Sequence, residues 1–403
     1  MPKKILKKFF ELESATAILL FAATALALVI ANSSISQIYF QTLKISLPLS
    51  LDFLQITKNL SLKDWINDAL MALFFFLIGL ELKKEILIGE LSTKKKIALP
   101  AIAAVGGVIF PALIFFAFNY NQPQNLRGFA IPTATDIAFA YGIICFFGKK
   151  IPYSLKVFIV TLAVLDDLIA ILIIAIFYTQ NLKILYFVMA FLPLIGLAIL
   201  NFRKSDKILA YLILGIFLWL MILQSGIHAT LAGVLLSLFI PLKINGKNFL
   251  ENLAHKISPI VNFVILPIFA LANCGVKIAG LSFDIFSQSL TLGIIFGLFF
   301  GKQIGVMLFS FLAVKLKIAA LPSDKGQPIL WRQFYSVAIF TGIGFTMSLF
   351  IGELSFVQNN TLEDLFEIIL DQLKIGILIA SILSILFGSL IMYVSIKTAK
   401  PKL

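Results

Sequence analysis

Asp166 and Asp167 adjoin each other near the centre of the apolar run 157–178. An ionised carboxylate at the bilayer midplane costs about 3 kcal/mol on insertion scales. Two in succession would not persist against lipid, so they must face protein, water or a cation. The chemistry this suggests is ion or proton handling. A hard monovalent cation prefers oxygen ligands, and carboxylates supply them. Neighbouring helix residues point about 100° apart, so the two acids cannot share one direction. One can face a cation while the other faces a counter-charge. A site of this kind holds protons or a cation but not both, and that competition suffices for exchange.

Three further segments carry polar groups at membrane depth. In 128–140, Pro132 removes a backbone donor and clashes with the preceding turn, and Thr133, Thr135 and Asp136 follow it closely. Irregular backbone at this depth is tolerated only where it is buried in protein or lines a cavity. A simple proline kink is the plainer reading, and Asp136 argues against it. In 340–348, Gly342 and Gly344 permit a helix break, while Thr341, Thr346 and Ser348 add oxygens. Close helix packing by small residues would explain the same pattern. Lys302, in 298–305, is too central to snorkel, and a buried lysine needs a carboxylate partner or loses its proton. Asp136, Asp166 and Asp167 are the deep choices. His228 reads as a packing histidine. His255, before Pro259, is either a plain loop residue or a pH sensor. The chain has no phosphate-binding loop, dinucleotide motif or nucleophile constellation.

The elements that must position these groups are membrane helices. The chain is 60% hydrophobic and 13% charged, with a mean hydropathy of +1.02. Soluble chains are about 45–50% apolar and about 25% charged. Spans of roughly 20 apolar residues are expected at 14–31, 65–81, 97–118, 129–147, 155–178, 184–200, 208–223, 226–240, 259–276, 288–314, 334–353 and 373–394. The basic start is read as leading into a retained helix. Loops on the side of the N-terminus carry 25 basic residues against 7 on the other. By the positive-inside rule both termini are cytoplasmic. The net charge of +13 then reflects topology and contact with anionic lipid, not nucleic acid. Cys145 and Cys274 suggest neither a disulfide nor a metal site. The outer segment 44–53, KISLPLSLDF, alternates with period two, a strand signature. It could pair with a second copy or fold over its own helices.

Together these segments resemble the NhaA family of bacterial sodium/proton antiporters. The resemblance runs through WINDALMA at 65–72, GLELKKE at 79–85, ATDIAFA at 134–140, DDL at 166–168, SGIHATLAG at 225–233, GK at 301–302 and GIGFTMS at 342–348. It implies an all-α polytopic membrane protein of about twelve transmembrane helices with a short outer β-hairpin. It also implies an inverted-topology repeat with two broken crossing helices, forming a single transporter domain over residues 1–403. Asp166 and Asp167 match the pair that binds Na+ and carries protons, and Thr135 matches a residue beside it. Asp136 and Lys302 would balance partial charges of the facing helix ends, with the backbone broken at Pro132, Gly342 and Gly344. Lys302 is expected on Asp166. The hairpin near 44–57 matches a dimerisation element, which favours a homodimer.

The resemblance further implies electrogenic exchange of Na+ or Li+ for H+ across the bacterial inner membrane, with no cofactor and no enzymatic activity. One departure stands out. The family pattern carries an acid linked to pH activation where this chain has Ala254, in Leu253-Ala254-His255. Glu81, Glu85 and His255 are the remaining pH-response candidates. A sodium-coupled organic-anion symporter is the alternative, but it would need a second free cationic group. A passive channel would have no need of coupled carboxylates.

Overall fold

Apolar runs of membrane length, with few breaking residues, dictate helices. The computed structural model describes residues 14–51, 56–89, 94–179, 182–278, 283–324, 327–356 and 363–398. The N-terminal lysines, Lys400, Lys402 and the hairpin tip at 52–55 lie outside them.

Among the described residues, eight helices are long and apolar enough to cross a membrane, and counting each of three bent pairs as one span raises the number to eleven. In chain order the helices are α1 (Ala15–Ala31), α2 (Ser36–Leu43), α3 (Leu62–Ile88), α4 (Lys94–Asn119), α5 (Pro123–Thr133), α6 (Ile137–Phe146), α7 (Tyr153–Phe177) and α8 (Ile184–Phe202). They continue as α9 (Ile208–Ser225), α10 (Leu231–Phe239), α11 (Phe249–Asn273), α12 (Ser289–Lys315), α13 (Trp331–Phe340), α14 (Phe345–Phe356) and α15 (Glu363–Thr398). The bent pairs are α1/α2 at 114°, α5/α6 at 40° and α13/α14 at 43°.

Each of the twelve expected spans has a helix, but the eighth is shorter than expected. Only Leu231–Phe239 of 226–240 is helical. Gly226 takes a φ of +88° and ends α9. Turns then occupy the chain until the Leu231 amide bonds the His228 carbonyl at 3.1 Å. Nine helical residues rise about 13 Å, less than half of the roughly 30 Å hydrocarbon core. Hydropathy alone did not register the left-handed glycine.

The described chain divides into two compact units. The first comprises the described residues of 1–22, 93–170 and 276–403; the second comprises 23–92 and 171–275. The first unit contains two copies of one pattern. A long helix, a broken pair and a long helix recur as α4, α5/α6, α7 and as α12, α13/α14, α15. The recurrence is the pattern expected of an internal repeat.

In the second unit, α10 lies against α3 at glycine contacts. A Cβ on Gly233 would overlap the Ala72 carbonyl, and one on Gly79 would overlap Ser237 Oγ. Phe76, Leu80, Leu218, Met221, Leu236 and Leu250 form its apolar core. The hairpin pairs β1 (Leu49–Leu51) with β2 (Ile56–Lys58), antiparallel, with Leu49 opposite Lys58. Leu49 and Leu51 pack against that same core. Lys58 Nζ donates to the Leu223 carbonyl at 2.9 Å. Burial pushes the Lys58 ammonium below its ordinary pKa; Lys183 acts the same way, and Asp68 and Asp64 oppose it. A second, two-residue ladder, β3 (Ser323–Asp324) with β4 (Gln327–Pro328), lies between α12 and α13.

Candidate cation and proton site

The deep polar residues converge in the first unit. Lys302 Nζ lies 2.6 Å from Asp166 Oδ2, with both side chains fully buried. The sequence left three acids open as partners by geometry, and the structure places the lysine on Asp166. Asp167, one residue on, is also buried and lies within electrostatic reach of Lys302.

Thr135 completes the cluster. Its Oγ1 is 2.7 Å from Asp166 Oδ2 and 2.9 Å from the Thr341 carbonyl. A hydroxyl carries one proton, so it donates to one of these acceptors at a time. Asp166 Oδ1 takes no hydrogen bond among the described residues. Carboxylate, hydroxyl and carbonyl oxygens thus gather here from Asp166, Thr135 and Thr341, beside the buried Asp167. No group of three or more His, Cys, Asp or Glu suited to a metal occurs among the described residues. The oxygens come instead from two acids, a hydroxyl and freed backbone.

Both helix breaks supply that backbone. After Pro132, α5 ends at Thr133, and Ala134 is extended with φ −87° and ψ 149°. Asp136 caps α6, its Oδ1 accepting from the Phe139 amide at 3.1 Å. Its Oδ2 accepts from the Thr346 amide at 2.9 Å and from the Thr346 hydroxyl. One carboxylate thus meets the first turns of both α6 and α14. Helix N-termini carry partial positive charge, so Asp136 offsets two of them. The Asp136 amide also donates to the Ile343 carbonyl at 2.7 Å, tying the two breaks together. Lys302 reaches the breaks through Asp166 and Thr135. Gly342 is required by closeness: its Cβ would come within 2.6 Å of the Leu298 carbonyl. Ser381 Oγ accepts from the Gly344 and Phe345 amides at 3.2 and 3.3 Å, capping α14 from α15.

The depth of Lys302 follows from small residues. A Cβ on Gly106 would overlap the Gly305 carbonyl, and one on Gly305 would overlap the Gly106 carbonyl. Gly301 lies against Pro111, and Gly297 against Pro132. The spacing Gly293, Gly297, Gly301, Gly305 is the small-residue stripe that lets membrane helices approach closely. It was visible in the sequence, where only its last two members were noted.

The second unit holds the pH-response candidates. Glu81 and Glu85 flank Lys84 on α3, and Lys84 Nζ lies 2.6 Å from Glu251 Oε1. His255 Nε2 lies 4.0 Å from the same oxygen and is largely exposed. Sequence reasoning missed Glu251. Its signal was the four-residue spacing from His255, which puts both on one helix face. The acid absent at Ala254 therefore has a neighbour one turn earlier. His228 is held between polar groups, with Nδ1 2.8 Å from Thr230 Oγ1 and Nε2 3.6 Å from Asp68 Oδ1.

Comparison with known proteins reaches the same set of helices. The family model described as Na+/H+ antiporter 1 matches residues 7–392. A protein of Pelagibacter ubique (strain HTCC1062) named Na(+)/H(+) antiporter NhaA is 48% identical over 391 residues, covering 96% of this chain and 97% of the relative. Na(+)/H(+) antiporter NhaA 1 of Syntrophotalea carbinolica is 48% identical, covering 96% of each chain. The NhaA of Shewanella frigidimarina is 47% identical, covering 96% of this chain and 95% of its own. With the match running through both broken helix pairs and the Asp166–Lys302 pair between them, the chain belongs to the Na+/H+ antiporter 1 family.

Proposed function

We propose that this protein is a sodium(lithium)/proton antiporter, a transporter and not an enzyme. It works by alternating access as one transporter domain of the bacterial inner membrane, with both termini cytoplasmic. The observation that carries this reading is a buried ion pair, Lys302–Asp166, next to a second buried acid, Asp167. Sodium, lithium and protons are cargo, and the reading needs no cofactor. The named relatives are sodium/proton antiporters, and Lys302 is already committed to an aspartate. The organic-anion symporter reading therefore has no cationic group here to support it.

In this mechanism Asp167 is the exchange ligand and Asp166 the acid that trades Lys302 for the cation. When sodium arrives, Lys302 loses its proton and withdraws from Asp166 as the neutral amine, and Thr135 turns its proton to the Thr341 carbonyl, freeing a lone pair for the ion. When protons arrive, the pair re-forms. Two buried acids, Asp166 and Asp167, lie within reach of one buried lysine, Lys302, so Asp167 and the Lys302 amine together take up two protons as one sodium ion leaves. That asymmetry supports electrogenic exchange.

The test is purified protein in liposomes. Added sodium or lithium should dissipate an imposed pH gradient without an organic co-substrate, and current that flows without proton movement would overturn the reading. The same assay addresses regulation. We assign the pH response to Lys84, Glu251 and His255, with Glu81 and Glu85 alongside. Glu251→Gln breaks the ion pair with Lys84 that holds this cluster together, so the activation midpoint should move along the pH axis. An unmoved midpoint would take Glu251 out of that role.

The hairpin is proposed to join two copies. Ile45 and Leu47, at its root, are 51% and 44% exposed, although Leu49 and Leu51 pack at home. Light scattering in detergent should find a dimer for the full chain and a monomer when residues 45–58 are deleted. A monomeric full chain would refute the assignment.

A further inference from the structure

Lys302 opens the regular part of α12 immediately after a π turn, Gly297–Gly301. In a π turn the backbone bonds run i to i+5, and single such turns inside helices concentrate at functional sites. The next residue, Gln303, is only 5% exposed, although glutamine is rarely buried so completely. Its side chain is committed at both ends. Nε2 donates back to the Phe299 carbonyl, within the π turn, at 2.6 Å. Oε1 accepts from the Tyr335 hydroxyl at 2.6 Å. Tyr335 lies on α13, the half-helix that ends beside Thr341, whose carbonyl faces Thr135.

The geometry points to a strut. We propose that Tyr335 and Gln303 are positioning residues for exchange. They lock the π turn that aims Lys302 and hold α12 at a set distance from the helix bearing the Thr341 carbonyl. Neither touches the cargo. The strut acts by keeping the Lys302 ammonium seated on Asp166, against which an incoming sodium ion must compete. Two short hydrogen bonds in series, the first buried and the second part-buried, make a stiff link, because a buried polar group left unpaired is costly. An apolar residue at either position would leave the turn free to rewind.

This inference rests on the antiporter reading. Its consequence is that loosening the strut eases displacement of Lys302 and weakens the return stroke. Tyr335→Phe removes one oxygen from a partly exposed ring, so the protein should fold normally. The apparent KM for sodium at fixed pH should fall about five- to tenfold, the scale of one buried hydrogen bond. The maximal exchange rate should fall with it. Gln303→Leu should do the same, and the double variant should be no worse than either single one, because both break one link. The experiment is sodium-driven proton exchange in liposomes over a sodium series at two pH values, with thermal unfolding of the purified variants alongside. A KM in Tyr335→Phe that is unchanged or raised overturns the strut, as does a double variant whose effect is the product of the two single effects. Variants that lose thermal stability yet keep the wild-type KM assign the residues to packing alone. Wild-type protein that exchanges nothing would count against the antiporter reading instead.

Discussion

Asp167→Asn is expected to reduce sodium-driven exchange more than about a hundredfold, the effect of losing a charged group worth ~3 kcal/mol in a buried site. Asparagine keeps the size and one oxygen of the side chain and removes its charge and its exchangeable proton. Both cargoes need what is lost, since sodium needs a negative ligand and the proton needs a base. The structure also explains why the protein should survive the change. Lys302 keeps its bond to Asp166 in this variant, so its buried charge is not stranded. Thermal unfolding should therefore stay close to wild type while liposome exchange disappears at every sodium concentration. Exchange at the wild-type rate would move the cargo site elsewhere.

Lys302→Met should have the opposite profile, with stability lost as well as activity. It leaves the Asp166 carboxylate fully buried beside Thr135 and without its ammonium. Breaking a buried pair by removing one partner costs about 3–5 kcal/mol. Replacing both partners by neutral residues of similar volume is often close to neutral. Adding Asp166→Asn to Lys302→Met should thus recover most of the lost stability, with the Thr135 hydroxyl still able to donate to an amide oxygen. Neither variant should exchange sodium normally. Unfolding of the four proteins of this cycle isolates the pair energy. A double variant as unstable as Lys302→Met would mean that packing around α12, not charge, sets the loss.

Much of this was legible in the chain. Hydropathy located every span because the bilayer demands long apolar runs, and the cost of intramembrane charge singled out Asp166, Asp167, Asp136 and Lys302 without any structure. Local chemistry was less informative where the partner is distant in sequence. Helix geometry required the two adjacent acids to diverge but could not say which meets Lys302, because that depends on how α7 is turned. Thr346 reads as one oxygen among several in a glycine-rich stretch; only the crossing of two breaks, 210 residues apart, brings it to Asp136. Glu251, Gln303 and Tyr335 carry no motif at all. Their roles are created by tertiary contact. The short α10 was misjudged for a local reason: a hydropathy window does not register that the backbone of Gly226 turns left-handed.

The π turn beside Lys302 also resolves a problem of phase. At 3.6 residues per turn, a repeat every four residues overshoots by about 40° at each step. Over the three steps from Gly293 to Gly305 that drift would reach about 120° and carry the last glycine off the contact face. Yet Gly293, Gly297, Gly301 and Gly305 all meet α4, at Phe115 and Asn119, Pro111, Pro111 again and Gly106. The wider turn at Gly297–Gly301 winds fewer degrees per residue and takes back part of the overshoot. The stripe stays in line because the helix is irregular, and the irregularity ends at the residue that carries the charge.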